Sequence, residues 1–138
     1  MIVGRKFGDV TQGPERHVAF AVNSQGANDA GLAGNISRIF WPYLASTGPI
    51  RMGEILSKEA GRKVFHALVV HSLEQDGWAE APRHIEACFN ELQVATDEDI
   101  ASVAMGAGMI GIMSGADPDR NLAAMEQSDK SIVIYDLS

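Results

Sequence analysis

The amino-acid sequence predicts an α/β fold in which helices pack around a mostly parallel sheet. Short apolar runs with the length of buried strands alternate along the chain with segments whose apolar residues recur at helical spacing. The chain has 138 residues, of which 46% are hydrophobic and 21% are charged, as is ordinary for a globular domain with one core. We therefore expect residues 1–138 to form a single domain.

The first third of the chain supplies two strands and a helix. Ile2–Phe7 predicts a short strand that ends at a polar turn, and His17–Asn23 is an apolar run short enough for a buried strand. A loop containing several glycines follows. One face of a helix then carries the apolar residues Leu32, Ile36, Ile39, Phe40 and Tyr43. We expect this helix to end or bend at Pro42.

The middle of the chain predicts a second buried strand and a second helix. Lys63–Val70 has the apolar density of a buried strand. Arg51–Leu56, which precedes a turn at Gly61, is expected to pair with it. Glu80–Leu92 has the spacing of an amphipathic helix, and proline is tolerated at Pro82 in its first turn.

The last third predicts a strand, a helix and a closing strand. Ile100–Met105 is a strand that runs into a glycine-rich loop. Asp117 has the character of an N-cap, and Pro118 follows it in the first turn of a helix that extends to about Gln127. Ser131–Leu137 closes the chain as a strand.

Charge and cysteine content exclude several classes of protein. The net charge is −7 and no basic block occurs, which argues against a surface for duplex nucleic acid. A single cysteine, Cys88, excludes an internal disulfide. No apolar run approaches ~20 residues and the start lacks a signal-peptide core, so we expect a soluble, cytoplasmic protein without a membrane partner. No residue pattern calls for a metal or another cofactor.

The segment Ala104–Gly115 places Gly106, Gly108 and Gly111 in the spacing G-x-G-x-x-G. A dinucleotide turn is disfavoured, because this loop follows the penultimate strand and its helix begins too late for that fingerprint. Two interpretations remain open from the local sequence. The glycines let backbone N–H groups cradle a phosphate, or they only permit the dihedral angles of a tight turn.

A second loop shifts the balance towards phosphate binding. Ser24–Gly34 also follows a buried strand, and it carries Gly26, Gly31 and Gly34 ahead of a helix. Two such loops could hold a diphosphate from both sides. The helix N-terminus near Leu32 would add a favourable dipole worth ~0.3–1 kcal/mol.

The order and spacing of five segments resemble the macro domain, the ADP-ribose-binding family. Phe7–Thr11 (FGDVT) is similar to the family's G-D-I-T segment, and Val22–Gly34 (VNSQGANDAGLAG) to its first ligand loop. Ala67–Ser72 matches the middle strand that ends beside the distal ribose. Ala104–Ser114 resembles the second phosphate loop, and Ile132–Leu137 the final strand. The resemblance implies a three-layer α/β/α sandwich with a mixed central sheet and ADP-ribose or an ADP-ribosylated molecule as the ligand.

The resemblance also assigns roles to individual residues. Asp9 would accept a hydrogen bond from the adenine amino group, a role that we favour over the alternative of stabilising the following turn. Val10 would contact the adenine ring, and Asn23 would orient the first loop or the distal ribose. The other implied ligand-binding positions lie in the two loops and are Asn28, Gly31, Leu32, Ala33, Gly106, Ala107, Gly108, Met109, Ile110 and Gly111.

The sequence departs from the family where chemistry is expected. In the similar ADP-ribosyl hydrolase branch a lysine follows the middle strand and an acid lies in the second loop, whereas here His71 and Ile110 occupy those positions. The missing pair argues against a covalent sugar intermediate on lysine. His71 is either an acid–base group or a satisfied strand-end residue. Asp29 either points to solvent or replaces the missing acid.

Two functions that involve ADP-ribose are therefore compatible with the sequence, and a third interpretation is an unrelated α/β nucleotide binder. The first is binding of ADP-ribose or a derivative with hydrolysis at the distal ribose, of the ADP-ribose 1″-phosphate phosphatase or ADP-ribosyl hydrolase type. In that case a bound water attacks, and His71 or Asp29 assists. The alternative is a non-catalytic ADP-ribose reader module.

Overall fold

The computed structural model describes residues 1–28, 31–44, 47–73, 79–103 and 117–136. Within these ranges, six strands form one sheet in the order β1-β6-β5-β2-β4-β3. The strands are β1 (Ile2–Phe7), β2 (His17–Asn23), β3 (Ile55–Ala60), β4 (Lys63–His71), β5 (Ile100–Val103) and β6 (Ile132–Asp136). The helices are α1 (Gly31–Ile39), α2 (Ala81–Glu91) and α3 (Pro118–Glu126). The predicted α/β class is confirmed.

The sheet is mixed, with one antiparallel pair. β1, β6, β5, β2 and β4 are parallel neighbours, and β3 runs antiparallel to β4 at the edge. The prediction of a strand over Arg51–Leu56 is wrong in its bounds. The two-residue turn at Gly61 and Arg62 pairs Ala60 with Lys63, so the strand lies directly before that turn. Its residues Ser57, Lys58 and Glu59 are polar and exposed, so the strand lacks the apolar run that would mark a buried strand.

Two buried layers lie on opposite faces of the sheet, which makes the fold a three-layer α/β/α sandwich. On one face α1 packs through Leu32 and Ile36 against Phe20 and Phe65. On the other face α2 and α3 cover residues from β2, β4, β5 and β6. Apolar burial on both faces explains why the parallel strands read as continuous apolar runs.

Helix α1 ends earlier than its apolar pattern suggests. The amides of Phe40 and Trp41 both donate to the carbonyl of Ile36, at 2.8 and 2.9 Å, which closes the last turn. Tyr43 lies beyond the helix and is exposed. The apolar spacing therefore continued past the end of the helix.

Parallel strands bring their carboxyl ends to one edge of the sheet. The segments that follow β1, β2 and β4 leave from this edge, where α/β folds commonly bind ligands. None of the helices in the described ranges is long and apolar enough to cross a membrane.

A line of polar side chains runs across β3, β4 and β2 towards Glu98. Ser57 Oγ lies 2.7 Å from His66 Nδ1, and His66 Nε2 lies 2.9 Å from His17 Nδ1. His17 Nε2 is 3.1 Å from Glu98 Oε2, an electrostatic contact without hydrogen-bond geometry. The Glu98 carboxylate favours the tautomer with hydrogen on His17 Nε2. His17 Nδ1 then accepts a hydrogen bond from His66 Nε2, and His66 Nδ1 accepts one from the Ser57 hydroxyl.

Lowering the pH from 6.5 to 4 is expected to destabilise the folded protein through His66. Burial, and then the neighbouring His17, lowers the pKa of His66 from 6.5 to about 4. Between these values the unfolded chain binds a proton that the folded chain excludes. His66 alone therefore lowers the free energy of unfolding by up to about 3 kcal/mol, and this contribution levels off below the folded pKa of His66.

Urea unfolding across that pH range measures this loss, with His66→Gln as the comparison. The variant lacks the titrating imidazole, so its free energy of unfolding should fall less steeply over the same window. Equal pH slopes in the two proteins would show that His66 is not responsible.

Candidate functional site

The loop that follows β2 is folded around Asn23. The Asn23 Nδ2 group donates to the carbonyl of Ala27 at 2.7 Å, and the Ala27 amide donates back to Asn23 Oδ1 at 3.0 Å. The Asn23 amide donates to Asn28 Oδ1 at 3.1 Å. Asn23 therefore orients the first loop, one of its two predicted roles. Contact with a distal ribose stays a prediction.

Asn28 holds a buried hydrogen-bond donor in a fixed position. Its residue exposure is 3%, and its Oδ1 is engaged by Asn23. Its Nδ2 is buried and has no hydrogen-bond partner among the described residues. A buried donor without a partner costs about 1–3 kcal/mol, so its presence calls for an acceptor that a ligand could supply.

The N-terminus of α1 follows Asn28 closely in the chain. The first N–H groups of a helix lack intrahelical partners, and here they belong to Gly31, Leu32 and Ala33. The first turn of α1 contains no acidic residue that would already satisfy its positive end. Gly31 adopts φ +63°, which favours glycine where the helix begins. These three predicted positions thus have backbone donors without intrahelical partners, and binding of an anion by them stays a prediction.

A second segment, residues 47–50, packs directly on this loop. The Ile50 amide donates to the Ser24 carbonyl at 2.7 Å. Gly26 adopts φ +74°, and a Cβ at this position would lie 2.6 Å from both the carbonyl carbon and the amide nitrogen of Gly48. Residue 26 must therefore be glycine, for its dihedral angle and for the space around it.

The end of β4 is attached to the same loop through Gln25. Its Nε2 donates to Ser72 Oγ at 2.8 Å, and its Oε1 accepts from the Leu73 amide at 2.9 Å. The Ser24 amide donates to the His71 carbonyl at 2.8 Å. Sequence reasoning missed Gln25, because a polar side chain after a strand indicates a loop without naming its partner.

His71 lies beside Asn23 in the register of β2 and β4. Burial lowers its pKa to about 4, although a hydrogen bond with the Ser72 backbone partly opposes the shift. At neutral pH the imidazole is therefore uncharged, with a protonated fraction on the order of one in a thousand. It is suited to act as a base or as a neutral hydrogen-bonding group, and poorly suited to act as an acid.

Asp9 and Val10 lie in the segment that follows β1. Asp9 Oδ1 accepts from the amide and the hydroxyl of Thr11, at 2.9 and 2.7 Å, and the Asp9 carbonyl accepts from the Gln12 amide. The turn-stabilising role is thus present in the structure. The adenine role stays a prediction, and Asp9 is exposed as that role requires. Val10 is buried in the core that contains Tyr135.

Several predicted site residues cannot be placed. The candidate acid Asp29 and the second glycine loop lie outside the described residues. The loop positions concerned are Gly106, Ala107, Gly108, Met109, Ile110 and Gly111. Within the described ranges, no group of three or more His, Cys, Asp or Glu side chains is arranged to hold a metal ion.

Solved structures of macrodomains match nearly the whole chain. The macrodomain of Thermus aquaticus DarG is 18% identical with a TM-score of 0.64, and the match covers 98% of this chain and 97% of that one. The macrodomain of Mycobacterium tuberculosis DarG is 18% identical with a TM-score of 0.66 at the same coverage. A mutant Oceanobacillus iheyensis macrodomain with ADPR is 15% identical with a TM-score of 0.66, over 96% of this chain and 83% of that one. Neither a family model nor a curated protein matches the chain.

Proposed function

We propose that this chain, which has the macrodomain fold, binds ADP-ribose or a molecule that carries it at the carboxyl edge of its sheet. The single observation that carries the proposal is the buried, unpartnered Nδ2 of Asn28, which precedes the N-terminus of α1. A diphosphate oxygen would satisfy this donor and the orphan N–H groups of the helix together.

The charge of the protein is consistent with this mode of binding. A net charge of −7 gives no long-range attraction for an anion. Recognition must therefore come from locally directed donors, and backbone N–H groups at a helix start supply them. Support by analogy comes from the solved Oceanobacillus macrodomain described with ADPR, which has the same fold.

The two ends of the ligand would lie against different segments. Asp9 would accept from the adenine amino group while its other contacts keep the turn in place. The distal ribose would lie near Asn23 and the end of β4, where the Ser24 amide and the Gln25 side chain hold His71, Ser72 and Leu73. The ligand would thus span the carboxyl ends of β1 to β4.

Hydrolysis at the distal ribose is the second candidate function, and His71 is the observation that favours it. A neutral imidazole at the end of β4 could accept a proton from an attacking water. The absence of a lysine at this position removes the route through a covalent sugar on lysine. If the protein does not hydrolyse its ligand, the same site would bind ADP-ribose groups on other molecules, and the chain would be a non-catalytic reader module.

Calorimetry with ADP-ribose, ATP and NAD tests the binding proposal. We expect ADP-ribose to bind at least about tenfold more tightly than either competitor, because only it presents both the diphosphate and a free distal ribose. Equal affinities for the three ligands would indicate a general nucleotide binder and contradict the proposal.

Incubation with ADP-ribose 1″-phosphate and with ADP-ribosylated protein separates the hydrolase from the reader. If the chain is a hydrolase, His71→Ala should lower kcat by about 10²-fold or more with little change in ADP-ribose affinity. Tight binding without any product release would assign the chain to the readers instead.

A further inference from the structure

The segment between β1 and β2, residues 8–16, carries Asp9 at its start. Because β1 and β2 are parallel, this segment must travel from the carboxyl end of one strand to the amino end of the other. It crosses the face of the sheet covered by α1, where Val10 and Tyr135 share one core cluster. Whatever holds this segment therefore also holds Asp9.

Glu15 and Tyr135 form a buried pair under the segment. The Tyr135 hydroxyl donates to Glu15 Oε1 at 2.6 Å, and Lys6 Nζ lies 3.5 Å from Glu15 Oε2. Burial raises the pKa of Glu15, but the hydrogen bonds from Tyr135 and from the Glu15 backbone, together with the charge of Lys6, outweigh it and the net pKa is lowered. Burial and the bond to Glu15 raise the pKa of Tyr135 to about 12. Glu15 thus stays an ionised acceptor and Tyr135 a protonated donor.

The backbone of the segment rests directly on this pair. A Cβ at Gly13 would lie 2.6 Å from Glu15 Oε1 and 2.7 Å from Tyr135 Cζ, and closer still to the Tyr135 hydroxyl oxygen. The Lys63 ammonium donates to the Gly13 carbonyl at 2.6 Å and to the Glu15 carbonyl. The segment is therefore anchored to β4 as well as to β6.

Strand β6 holds the segment at both ends. The Gly8 amide donates to the Asp136 carbonyl at 3.0 Å, one residue after Tyr135. Asp9 thus lies between a backbone anchor at Asp136 and a side-chain anchor at Tyr135. The backbone anchor would form with any residue type at position 136, whereas the side-chain anchor requires the Tyr135 hydroxyl.

We propose that Tyr135 is a positioning residue for adenine recognition, acting through Glu15 and Gly13 on the segment that carries Asp9. This inference rests on the proposed function. It makes Tyr135 a determinant of selectivity for a purine with a 6-amino group, with no contact to the ligand. Removing the hydroxyl deprives Glu15 of its 2.6 Å donor and frees the backbone that lies on it.

Tyr135→Phe tests the inference by comparing ADP-ribose with its purine analogue, in which a hydrogen atom replaces the 6-amino group. We expect the wild-type protein to prefer ADP-ribose by about tenfold, the value of one hydrogen bond to a charged acceptor. In the variant this preference should fall to about twofold, with the affinity for the analogue nearly unchanged. Tyr43→Phe, which removes an exposed hydroxyl, is the matched control and should keep the wild-type preference.

Selectivity separates positioning from a purely structural role. A lower melting temperature with an unchanged preference for ADP-ribose would overturn the inference. Lys63→Met releases the same segment from β4, so it should lower the preference for ADP-ribose over the analogue. This variant keeps the inference testable even if Tyr135→Phe fails to fold. An unchanged preference in Lys63→Met would also overturn the inference. If the wild-type protein does not bind ADP-ribose, the proposed function fails. If the wild-type protein binds ADP-ribose and both variants keep its preference for ADP-ribose over the analogue, the positioning inference alone fails.

Discussion

Gly26→Ala is expected to lower the free energy of unfolding by at least about 3 kcal/mol. Two costs combine at this position. Gly26 adopts φ +74°, where a Cβ costs roughly 1–2 kcal/mol, and the methyl group would overlap the backbone of Gly48. The atoms that the methyl group would meet belong to the backbone of Gly48, which cannot rotate away as the end of a side chain can. The loop after β2 or the segment 47–50 must therefore move. The hydrogen bond from the Ile50 amide to the Ser24 carbonyl would be strained with it.

Urea unfolding measures the effect, and the chain offers two matched controls. Gly48 and Gly61 also have positive φ, at +80° and +62°, but a Cβ at either one meets no atom within 4 Å. Gly48→Ala and Gly61→Ala should therefore cost only the conformational part, about 1–2 kcal/mol. If all three variants lost the same stability, the contact between Gly26 and Gly48 would contribute nothing beyond the dihedral angle.

Asn28→Asp is expected to weaken ADP-ribose binding by roughly 30- to 150-fold. The carboxylate keeps the oxygen that accepts from the Asn23 amide, but it replaces the buried Nδ2 donor with a negative charge. That charge, on a residue that precedes the start of α1 in the chain, would repel a diphosphate at ~5 Å by about 2–3 kcal/mol in a surface dielectric. The fold should be retained, because the carboxylate keeps the oxygen that accepts from the Asn23 amide.

Calorimetry with ADP-ribose gives the affinity, and urea unfolding shows whether the variant is as stable as the wild-type protein. Asn90→Asp is the control for charge. Asn90 is exposed on α2, and its Oδ1 also accepts a backbone amide, that of Asp129. A variant at position 28 that folds and binds within threefold of the wild-type protein would place the anion site elsewhere.

Much of the fold could be predicted because its signals are local. β2 has its predicted bounds, since a strand buried on both faces shows as a short run of apolar residues. The bounds of β1 are also as predicted, although most of its residues are exposed. The N-cap at Asp117 is also confirmed, because its side chain accepts from the amide of Arg120, three residues along the chain. The edge strand β3 was misplaced, since a solvent-exposed strand has no apolar run to mark it.

The candidate site was predictable only in part. Asn23 and Gly31 were identified from the resemblance, and the structure gives Asn23 a local role within its own loop. Gln25 was missed, because its partners Ser72 and Leu73 are 47 and 48 residues away in the chain. A polar residue after a strand does not indicate which distant backbone it will meet.

The sequence by itself determined the α/β class, most strand positions and the polar, glycine-containing loops at strand ends. Those features depend on periodicity and on residues a few positions apart. Only the tertiary structure decided that Tyr135 donates to Glu15 across 120 residues, that Gly26 lies against Gly48, and that Asn28 retains a buried donor without a partner among the described residues. Such contacts arise when the strand order brings distant segments together, and burial then leaves each polar group with the partners that happen to lie beside it.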